Sequence, residues 1–293
     1  MDVSVIIVSF NSADYISKCV ESVIMQEGVT CETIVVDNGS TDGTVAIAKE
    51  LTRQVIASDK NLGFGPGNNK GFSVSSGRYI FLLNPDAWLV EKRGLAVLCQ
   101  QMDANPEWGM AGSKVLSPDG TLQAEPDYQY PAQRHVHRDF SKLPGKIAWI
   151  IGASMFVRRG IYERLGGFDP EFFPAYSEET DFCLRVRELG YEIGYIPEVA
   201  VTHIGGSTED PRDPYDASVR KLKGLVKFRQ KHYPPEDCVL LAKRDLRRAR
   251  FRMLWNGFLA RWQPPNSKAW RKHRNYRGIW EVSRQYLSSS KAL

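Results

Sequence analysis

The 293-residue sequence predicts an α/β fold, a mostly parallel sheet with helices on both faces, followed by a basic helical C-terminal extension. Three observations support this prediction. Short apolar runs alternate with segments of helical spacing in the N-terminal part of the chain. These runs are apolar throughout, which is typical of parallel strands buried on both faces. Beyond Tyr215 the pattern is helical and basic.

The N-terminal part of the chain predicts four strands with helices between them. The strands are expected at Val3–Phe10, Thr33–Val36, Val55–Ala57 and Tyr79–Leu83, and the helices at Tyr15–Met25, Thr44–Leu51 and roughly 67–75. The middle is less regular. Further strands are expected at Trp108–Val115 and Trp149–Val157, a loop-rich excursion over 117–146, and a helix over Glu178–Leu189.

Composition narrows the class of protein. Hydrophobic residues make up 42% and charged residues 25% of the chain, which argues against disorder over its whole length. No apolar run approaches the ~18 residues of a membrane-spanning helix, and the first residues lack the pattern of a secretory signal. The five cysteines form no Cys-x-x-Cys pair. We therefore expect reduced thiols in a cytoplasmic protein.

The charge is unevenly distributed along the chain. From Arg212 to the end there are 21 Lys and Arg against 6 Asp and Glu, a balance of +15, whereas the preceding part carries −10. An acidic body with a basic tail suggests that the body does chemistry and that the tail meets an anionic partner.

Three polar clusters follow predicted strands at their carboxyl ends. Asn11 follows the first strand, Asp37 ends the second, and Asp86 comes shortly after the fourth. Ligands of parallel α/β sheets bind beyond this edge. The sequence therefore predicts that these clusters converge on one ligand site.

Two loop motifs are open to more than one interpretation. Asp37-Asn38-Gly39-Ser40-x-Asp42 consists of turn formers, or else Asp37 accepts a hydrogen bond from a nucleotide base or ribose. Residues 61–71 contain four glycines, which let backbone N–H groups approach a phosphate. No Gly-Lys-Ser/Thr follows, and the dinucleotide pattern fails at Asn68, so a plain loop-to-helix junction explains the run equally well.

Carboxylates and one histidine supply candidate catalytic chemistry. Asp86 follows a buried strand and suits Mg²⁺, which uses one or two carboxylates plus substrate phosphates; a turn aspartate is the alternative. Glu178, Glu179 and Asp181 crowd a helix start, either to complement the helix dipole or to provide a general base. His203, in His203-Ile204-Gly205-Gly206-Ser207, is structural unless Asp86 holds a metal.

Taken in order, these motifs resemble the family-2 glycosyltransferases of the GT-A fold, especially rhamnosyltransferase-like members. The resemblance covers residues 3–207. It rests on the opening strand Val3–Asn11, Val35-Val36-Asp37-Asn38-x-Ser40-x-Asp42, Asn61-x-Gly63-Phe64-x-x-Gly67-Asn68-Asn69, Leu83-Asn84-Pro85-Asp86, Gly166-Gly167-Phe168-Asp169, Glu178-Glu179-x-Asp181 and His203-x-Gly205-Gly206.

The resemblance implies roles for individual residues. Asp86 corresponds to the last residue of the family's Asp-x-Asp signature and would bind Mg²⁺ or Mn²⁺, with Asn84 at the first position and His203 completing the metal site. Glu179 would be the catalytic base, with Glu178 as the alternative, and Asp181 would support the site or the acceptor. Nucleotide-sugar contacts are implied for Ser9, Asn11, Asp37 (at the base), Asn38, Asn61, Gly67, Asn68 and Asn84.

The implied reaction is inverting transfer of a sugar from a nucleoside-diphosphate sugar to an acceptor hydroxyl. The resemblance favours dTDP-rhamnose over a UDP-sugar as donor, a glycan or lipid-linked glycan as acceptor, and a place in bacterial surface polysaccharide or glycolipid assembly. It implies a catalytic domain over residues 1–211, with a nucleotide-sugar half to about residue 100 and an acceptor half after it, and a basic helical region over 212–293. A nucleotidyltransferase making activated sugars and a non-catalytic nucleotide-sugar-binding protein are the alternatives.

The basic tail predicts an amphipathic helix. Phe251, Trp255, Phe258 and Trp262 recur at i, i+4, i+7 and i+11 among arginines. Such a helix either lies on an anionic membrane surface, at the inner face of the plasma membrane, or packs on the catalytic domain. A nucleic-acid partner is not expected, because no recognised binding module accompanies the charge.

Overall fold

The computed structural model describes residues 1–206 and 213–289. Ser207 and the domain boundary expected at 211/212 lie outside the described residues. The described chain forms two compact units. The first comprises residues 1–130, 141–174 and 178–206, and the second comprises 131–140, 175–177 and 213–289.

The first unit is built on one mixed sheet. Its strands are β1 (Val3–Ser9), β2 (Cys31–Asp37), β3 (Gln54–Ala57), β4 (Tyr79–Leu83), β5 (Ala87–Leu89), β6 (Trp108–Leu116), β7 (Leu122–Ala124), β8 (Ser154–Arg158) and β9 (Glu192–His203). They lie in the order β3-β2-β1-β4-β8-β6-β9-β5, with β7 paired to β6. β1 to β4 pair in parallel, whereas β8 is antiparallel to both of its neighbours.

Six helices belong to this unit. They are α1 (Ile16–Ile24), α2 (Thr44–Leu51), α3 (Phe64–Phe72), α4 (Gly94–Ala104), α5 (Arg159–Leu165) and α6 (Glu178–Glu188). Two clusters of buried apolar side chains cover the two faces of the sheet: alternate residues of β1 divide between them, with Val3, Val5 and Ile7 in one and Ile6 and Val8 in the other. Helices on both faces explain why β1 is buried at every position.

The predicted α/β fold is confirmed, with local differences. β8 begins at Ser154, so the expected strand at 149–153 is a connection. The short strands β5 and β7 were not predicted, and the loop-rich excursion over 117–146 contains β7. β5 and β7 each contain three residues, too few for a periodic pattern to show in the sequence.

The second unit is helical. It contains a short 3₁₀ helix (Gln133–His135), α7 (Tyr215–His232), α8 (Pro235–Ala260) and α9 (Lys268–Ser289). The buried Asp237 in the first turn of α8 accepts hydrogen bonds from the backbone N–H of His137 and contacts its ring Nδ1, both at 2.6 Å. Arg229 and Asp245 join α7 to α8 at 2.6 Å. Among the described residues, no helix is long and apolar enough to cross a membrane.

Candidate active site

The first group of site residues lies where β4, β5 and β9 meet. Asp86, in the turn between β4 and β5, and His203, the last residue of β9, are both buried. Antiparallel pairing of β5 with β9 sets Ala87 opposite His203, so a carboxylate one residue before Ala87 is held beside the imidazole. Asp86 Oδ1 lies 3.4 Å from His203 Nε2, and Asn84 Nδ2 lies 3.2 Å from the same nitrogen. The three residues expected to hold a metal and a diphosphate are thus neighbours.

Three further contacts fix this group. The backbone N–H of Gly205 donates to Asp86 Oδ2 at 3.2 Å, and that of Ile204 donates to the Asp86 carbonyl at 3.1 Å. Beneath the turn, the buried Cys19 thiol donates to the Asn84 carbonyl at 3.3 Å. Burial, together with the charge of Asp86, raises the pKa of Cys19, so this thiol stays protonated and acts as a donor.

His203 is oriented by Gln123 on β7. The Gln123 amide Nε2 donates to the His203 carbonyl at 2.9 Å, so its Oε1 faces His203 Nδ1, at 2.7 Å. An amide oxygen can only accept, which places the imidazole proton on Nδ1. In the neutral imidazole with this tautomer, the Nε2 lone pair points toward Asp86 and Asn84. This is the tautomer required of a metal-binding histidine whose second nitrogen is held by an outer partner.

The donor set fits a divalent cation in an open site. One carboxylate oxygen and one imidazole nitrogen are ordinary ligands of Mn²⁺, and Mg²⁺ also takes substrate phosphate oxygens. Within residues 1–206 and 213–289, no group of three or more His, Cys, Asp or Glu side chains is placed to hold a metal ion. A closed structural site uses four protein ligands, whereas Asp86 and His203 supply two.

The second group surrounds Asp37 at the end of β2. Its buried carboxylate accepts hydrogen bonds from Ser9 Oγ at 3.0 Å, from the backbone N–H groups of Gly39 and Ser40 at 3.1 and 2.9 Å, and from Ser40 Oγ. Asn11, with a positive φ of 48°, receives the Thr41 N–H on its side-chain oxygen at 2.9 Å. The parallel register sets Ser9 beside Asp37. Ser9, Asn11 and Asp37 therefore form one connected loop cluster at the carboxyl edge.

Asn38 and Asn61 connect this cluster to the start of α3. The buried Asn38 donates to the Gly63 carbonyl at 3.1 Å, and Asn61 Oδ1 accepts the Gly63 N–H at 2.8 Å. Gly63 has a φ of 87°, and a Cβ there would lie 2.8 Å from the Pro174 carbonyl oxygen. Glycine is required at this position because both the backbone conformation and the space exclude a side chain.

Gly67 and Asn68 lie inside α3 and are buried. A Cβ on Gly67 would lie 2.7 Å from a methyl group of Val8, and Asn68 Nδ2 donates to the Phe64 carbonyl at 3.0 Å. Gly71 approaches Ile6 in the same way, with a built Cβ at 2.5 Å from it. Close packing of α3 on β1 therefore accounts for these glycines, and phosphate contact is not needed to explain them.

The third group lies at the start of α6. Glu178 is 5% exposed and Asp181 is fully buried, whereas Glu179 is partly exposed. Asp181 accepts from Arg185 Nε at 2.8 Å, and Arg185 donates in turn to the carbonyls of Leu165 and Gly167. Asp181 thus anchors α6 to the end of α5. Of the three carboxylates, Glu179 is the one a solute can reach.

The connection that precedes β8, residues 149–153, brings Glu179 near the first group. A Cβ built on Gly152 would lie 3.6 Å from the Glu179 Cβ and 3.7 Å from the ring of Phe64 at the start of α3. The next residue, Ala153, accepts the Asn84 N–H at 3.3 Å. Glu179, Asn84 and the first turn of α3 are therefore linked through two residues of one connection.

Sequence reasoning did not identify Gln123, Cys19 or the connection at 152–153. A signal for Gln123 was present. Asp119-Gly120 is a hairpin turn sequence, and Gly120 has a φ of 81°, so it predicts the β6–β7 hairpin that carries Gln123. No pattern in the chain indicates the role of Cys19, because it depends on which turn packs over α1.

Two family comparisons identify the class of protein. Residues 4–166 match "Glycosyl transferase family 2", and residues 98–288 match "Glycosyl transferase family group 2". The fold is that of the GT-A glycosyltransferases, as the sequence predicted. The chain belongs to glycosyl transferase family 2.

Two curated relatives illustrate the range of similarity. The chain is 40% identical over 122 residues to "Succinoglycan biosynthesis protein ExoO" of Rhizobium meliloti, a match covering 41% of this chain and 35% of that protein. It is 24% identical over 242 residues to the "N-acetylglucosaminyl-diphospho-decaprenol L-rhamnosyltransferase" of Mycobacterium tuberculosis, covering 68% of this chain and 75% of that one.

A solved structure shows the same fold. The "Mannosyltransferase PcManGT from Pyrobaculum calidifontis in complex with GDP-Man and Mn2+" superposes with a TM-score of 0.61 at 18% identity, covering 99% of this chain and 87% of that one. At this identity the likeness concerns the fold.

Proposed function

We propose that the chain is an inverting, metal-dependent glycosyltransferase that moves a sugar, with rhamnose favoured, from a nucleoside-diphosphate sugar to an acceptor hydroxyl. The observation that carries the proposal is the pairing of Asp86 with His203 at 3.4 Å, at the carboxyl edge of the sheet where Ser9 and Asp37 also end. Family membership supports the reaction class.

The donor is proposed to bind along this edge. The nucleoside would lie against the loop cluster of Ser9, Asn11, Asp37 and Asn38. Asp37 already accepts four internal hydrogen bonds. Its carboxylate would accept a further hydrogen bond from the nucleotide base. Asn61 and Asn84 would contact the sugar or diphosphate. Gly67 and Asn68 would act indirectly, by holding α3 against β1.

Asp86 and the Nε2 atom of His203 would hold Mg²⁺ or Mn²⁺. When bound, the cation stabilises the charge that develops on the diphosphate leaving group. The chain's own contribution is orientation: Gln123 fixes the imidazole tautomer, the Gly205 N–H fixes the Asp86 carboxylate, and Asn84 Nδ2 lies beside His203 Nε2. The Mn²⁺ in the mannosyltransferase complex supports a divalent cation in a protein of this fold.

Glu179 is proposed as the general base. It would accept the proton of the acceptor hydroxyl as the oxygen attacks the anomeric carbon, and a single displacement inverts the configuration. Its partial exposure favours it over Glu178, which is buried. Asp181 would position α6 through Arg185. Tyr176 and Ser177, just before α6, both have positive φ, a costly backbone conformation that is often found at functional sites.

The substrates are proposed from the relatives. The mycobacterial rhamnosyltransferase supports dTDP-rhamnose as donor and a lipid-linked sugar diphosphate as acceptor, and the succinoglycan protein supports polysaccharide assembly. A UDP-sugar is the second donor candidate. The acceptor would be a glycan or a lipid-linked glycan at the cytoplasmic face of the plasma membrane, which places the enzyme in the cytoplasm with peripheral membrane contact.

A donor screen tests the proposal. dTDP-rhamnose, UDP-sugars and GDP-mannose are added to the protein with and without Mn²⁺, and thermal stabilisation is measured. We expect one donor class to raise the unfolding temperature only with Mn²⁺, because Asp86 and His203 would hold the cation to which the donor's phosphates bind. The anomeric configuration of the product is then read by NMR. Stabilisation by a nucleoside triphosphate alone would instead favour the nucleotidyltransferase.

A further inference from the structure

The second half of α8 and the turn that follows it carry an apolar ridge that stays exposed to solvent. We define the ridge as Phe251, Leu254, Trp255, Phe258 and Trp262. These side chains are between 57% and 82% exposed, Trp262 the most. Four large aromatic rings in twelve residues are unusual on an exposed face, because each forgoes the stabilisation of burial.

The ridge faces away from the packing face of α8. Ala249 and Asn256 are buried, and a Cβ on Gly257 would lie 2.8 Å from the ring of His273 on α9. His273 Nδ1 also contacts the Met253 carbonyl at 2.9 Å. At 100° per residue these positions lie on the side of the helix opposite Trp255. The aromatics are therefore not what holds α8 to α9.

Arginines continue the ridge toward the N-terminus of α8 in register. Residues seven apart share one helix face, so Arg244, Phe251 and Phe258 form one row. Arg248 and Trp255 form a second row and Arg247 and Leu254 a third, while Trp262 lies in the turn just after the helix. Arg244, Arg247 and Arg248 are exposed.

Acidic residues are missing from this part of the sequence. Between Leu246 and Trp280 the chain carries ten Lys and Arg and no Asp or Glu. Asp245, just before it, is paired with Arg229 at 2.6 Å. A face that combines exposed aromatics with exposed arginines complements a surface that is apolar below and anionic above.

We propose that this face of α8 lies in the headgroup region of an anionic lipid bilayer, with the ridge inserted among acyl chains and the three arginines on lipid phosphates. Aromatic and leucine side chains on one face with basic residues beside them define a helix that lies in a membrane interface. The proposal names the surface through which the proposed enzyme would reach a lipid-linked acceptor, but it stands apart from the reaction, because bilayer binding is measured without donor or acceptor.

Vesicle sedimentation tests the proposal. The whole chain is mixed with phosphatidylglycerol/phosphatidylcholine vesicles, or with phosphatidylcholine vesicles alone, at low and high salt. We expect binding to the anionic vesicles that weakens as salt screens the arginines. Absence of the chain from the anionic pellet at low salt would overturn the proposal, whatever its transferase activity.

Two sets of variants separate insertion from charge attraction. Replacing Phe251, Trp255, Phe258 and Trp262 by Ser should weaken binding by roughly tenfold for each side chain that inserts. A control, Ile24→Ser with Met25→Ser, removes an exposed apolar pair from the C-terminal end of α1 and should bind normally. If the aromatic variant binds the anionic vesicles normally, charge attraction alone explains the binding, and the proposed insertion of the ridge is wrong.

The arginine set is Arg244→Gln, Arg247→Gln and Arg248→Gln. Each loss should weaken binding by about fivefold, since each basic residue near an anionic surface contributes a similar share. The control replaces three exposed cations of the first unit by Gln, namely Lys49, Arg53 and Lys92. It should weaken vesicle binding less. Equal effects of both sets would show a general charge attraction and contradict a specific face.

Light scattering and thermal unfolding of the aromatic variant complete the test. The variant should keep the oligomeric state and the unfolding temperature of the parent chain, since the side chains of the ridge are exposed. A parent dimer that becomes monomeric in the variant would show that the ridge binds a second copy. A large drop in unfolding temperature would show internal packing. Either result would overturn the membrane proposal.

Discussion

Gln123 holds His203 at two points, donating from Nε2 to its carbonyl at 2.9 Å and facing its Nδ1 with Oε1 at 2.7 Å. The two contacts fix both the ring orientation and the tautomer. A residue from a three-residue strand, in a segment whose sequence predicts a loop, thus determines which imidazole nitrogen faces Asp86.

Gln123→Met should therefore weaken metal-dependent donor binding while the fold survives. Methionine keeps the length of the side chain but removes both hydrogen bonds. Loss of an outer partner of a metal-binding histidine typically reduces metal affinity by roughly 10–100-fold. The measurement is the Mn²⁺ concentration for half-maximal donor binding by calorimetry. Gln100→Met, at an exposed position on α4, is the control and should leave that concentration unchanged.

Asp86→Ala should abolish the effect of Mn²⁺ on donor affinity. The substitution removes the hard anionic ligand and leaves one imidazole, so the diphosphate loses its bridge to the protein. Turnover should fall by orders of magnitude with the circular dichroism spectrum unchanged. Asp14→Asn, at an exposed site, is the control. A variant that keeps full activity in the presence of a chelator would refute the metal role.

Glu179→Gln should abolish transfer and leave donor affinity unchanged. The amide keeps the size of the side chain but takes no proton, and general base catalysis typically contributes about 10²–10⁴-fold. Donor titration separates binding from chemistry. The companion variant Glu178→Gln changes a buried side chain and should chiefly affect stability. If Glu178→Gln is folded and inactive while Glu179→Gln turns over normally, Glu178 is the base.

Gly67→Ala should lower the free energy of unfolding by about 1–3 kcal/mol, because the added methyl group would lie 2.7 Å from a Val8 methyl group. Combining it with Val8→Ala should restore part of this loss, a coupling that denaturant unfolding of the four proteins would measure. In Gly160→Ala on α5, the new Cβ meets nothing within 4 Å, so no loss is expected. Additive effects at 67 and 8 would contradict the packing explanation.

Glu32 on β2 should make stability fall in acid. Burial raises its pKa, but hydrogen bonds from Ser4, Gln54 and Ser76 outweigh this and lower the pKa from 4.5 to about 2. A lowered folded-state pKa contributes stability that is present above pH 4.5 and lost as the pH falls toward 2.

The comparison for Glu32 is Glu32→Gln against the parent chain. The variant should be less stable at neutral pH by about 1–3 kcal/mol, and the difference should vanish as the pH drops through this window. Denaturant unfolding at several pH values measures it. Glu50→Gln, at an exposed position on α2, should show a much smaller difference. A constant gap at all pH values would mean that ionisation of Glu32 does not stabilise the fold.

The sequence predicted the elements whose signals are local. β1, β2 and β4 each contain a short run of apolar residues, and Asn11, Asp37 and Asp86 stand out because polar residues follow buried strands. Their convergence followed from the rule that parallel strands share a carboxyl edge. The short strands β5 and β7 were missed because three residues are too few for a periodic pattern, and β5 also pairs with β9, which is distant in the chain.

The basic tail also shows that a local sequence pattern predicts an element but not its packing. The period of its aromatics predicted an amphipathic helix, and α8 confirms the helix. The period did not tell which side of the helix the unit uses for packing. The structure answers this for α8 and α9, since Ala249, Asn256 and Gly257 form the packed side and Trp255 lies opposite.

By itself, then, the sequence determined the α/β class and the chemical types at the site, because hydrophobic period and turn chemistry act over a few neighbouring residues. The family followed from the resemblance of its motifs, taken in order, to known glycosyltransferases. Only the tertiary structure decided that Gln123 orients His203, that Glu179 is reachable while Glu178 is buried, and that the glycines of α3 serve packing. The physical reason is that burial, hydrogen-bond partners and steric fit depend on contacts between residues far apart in the chain, here 80 positions between Gln123 and His203.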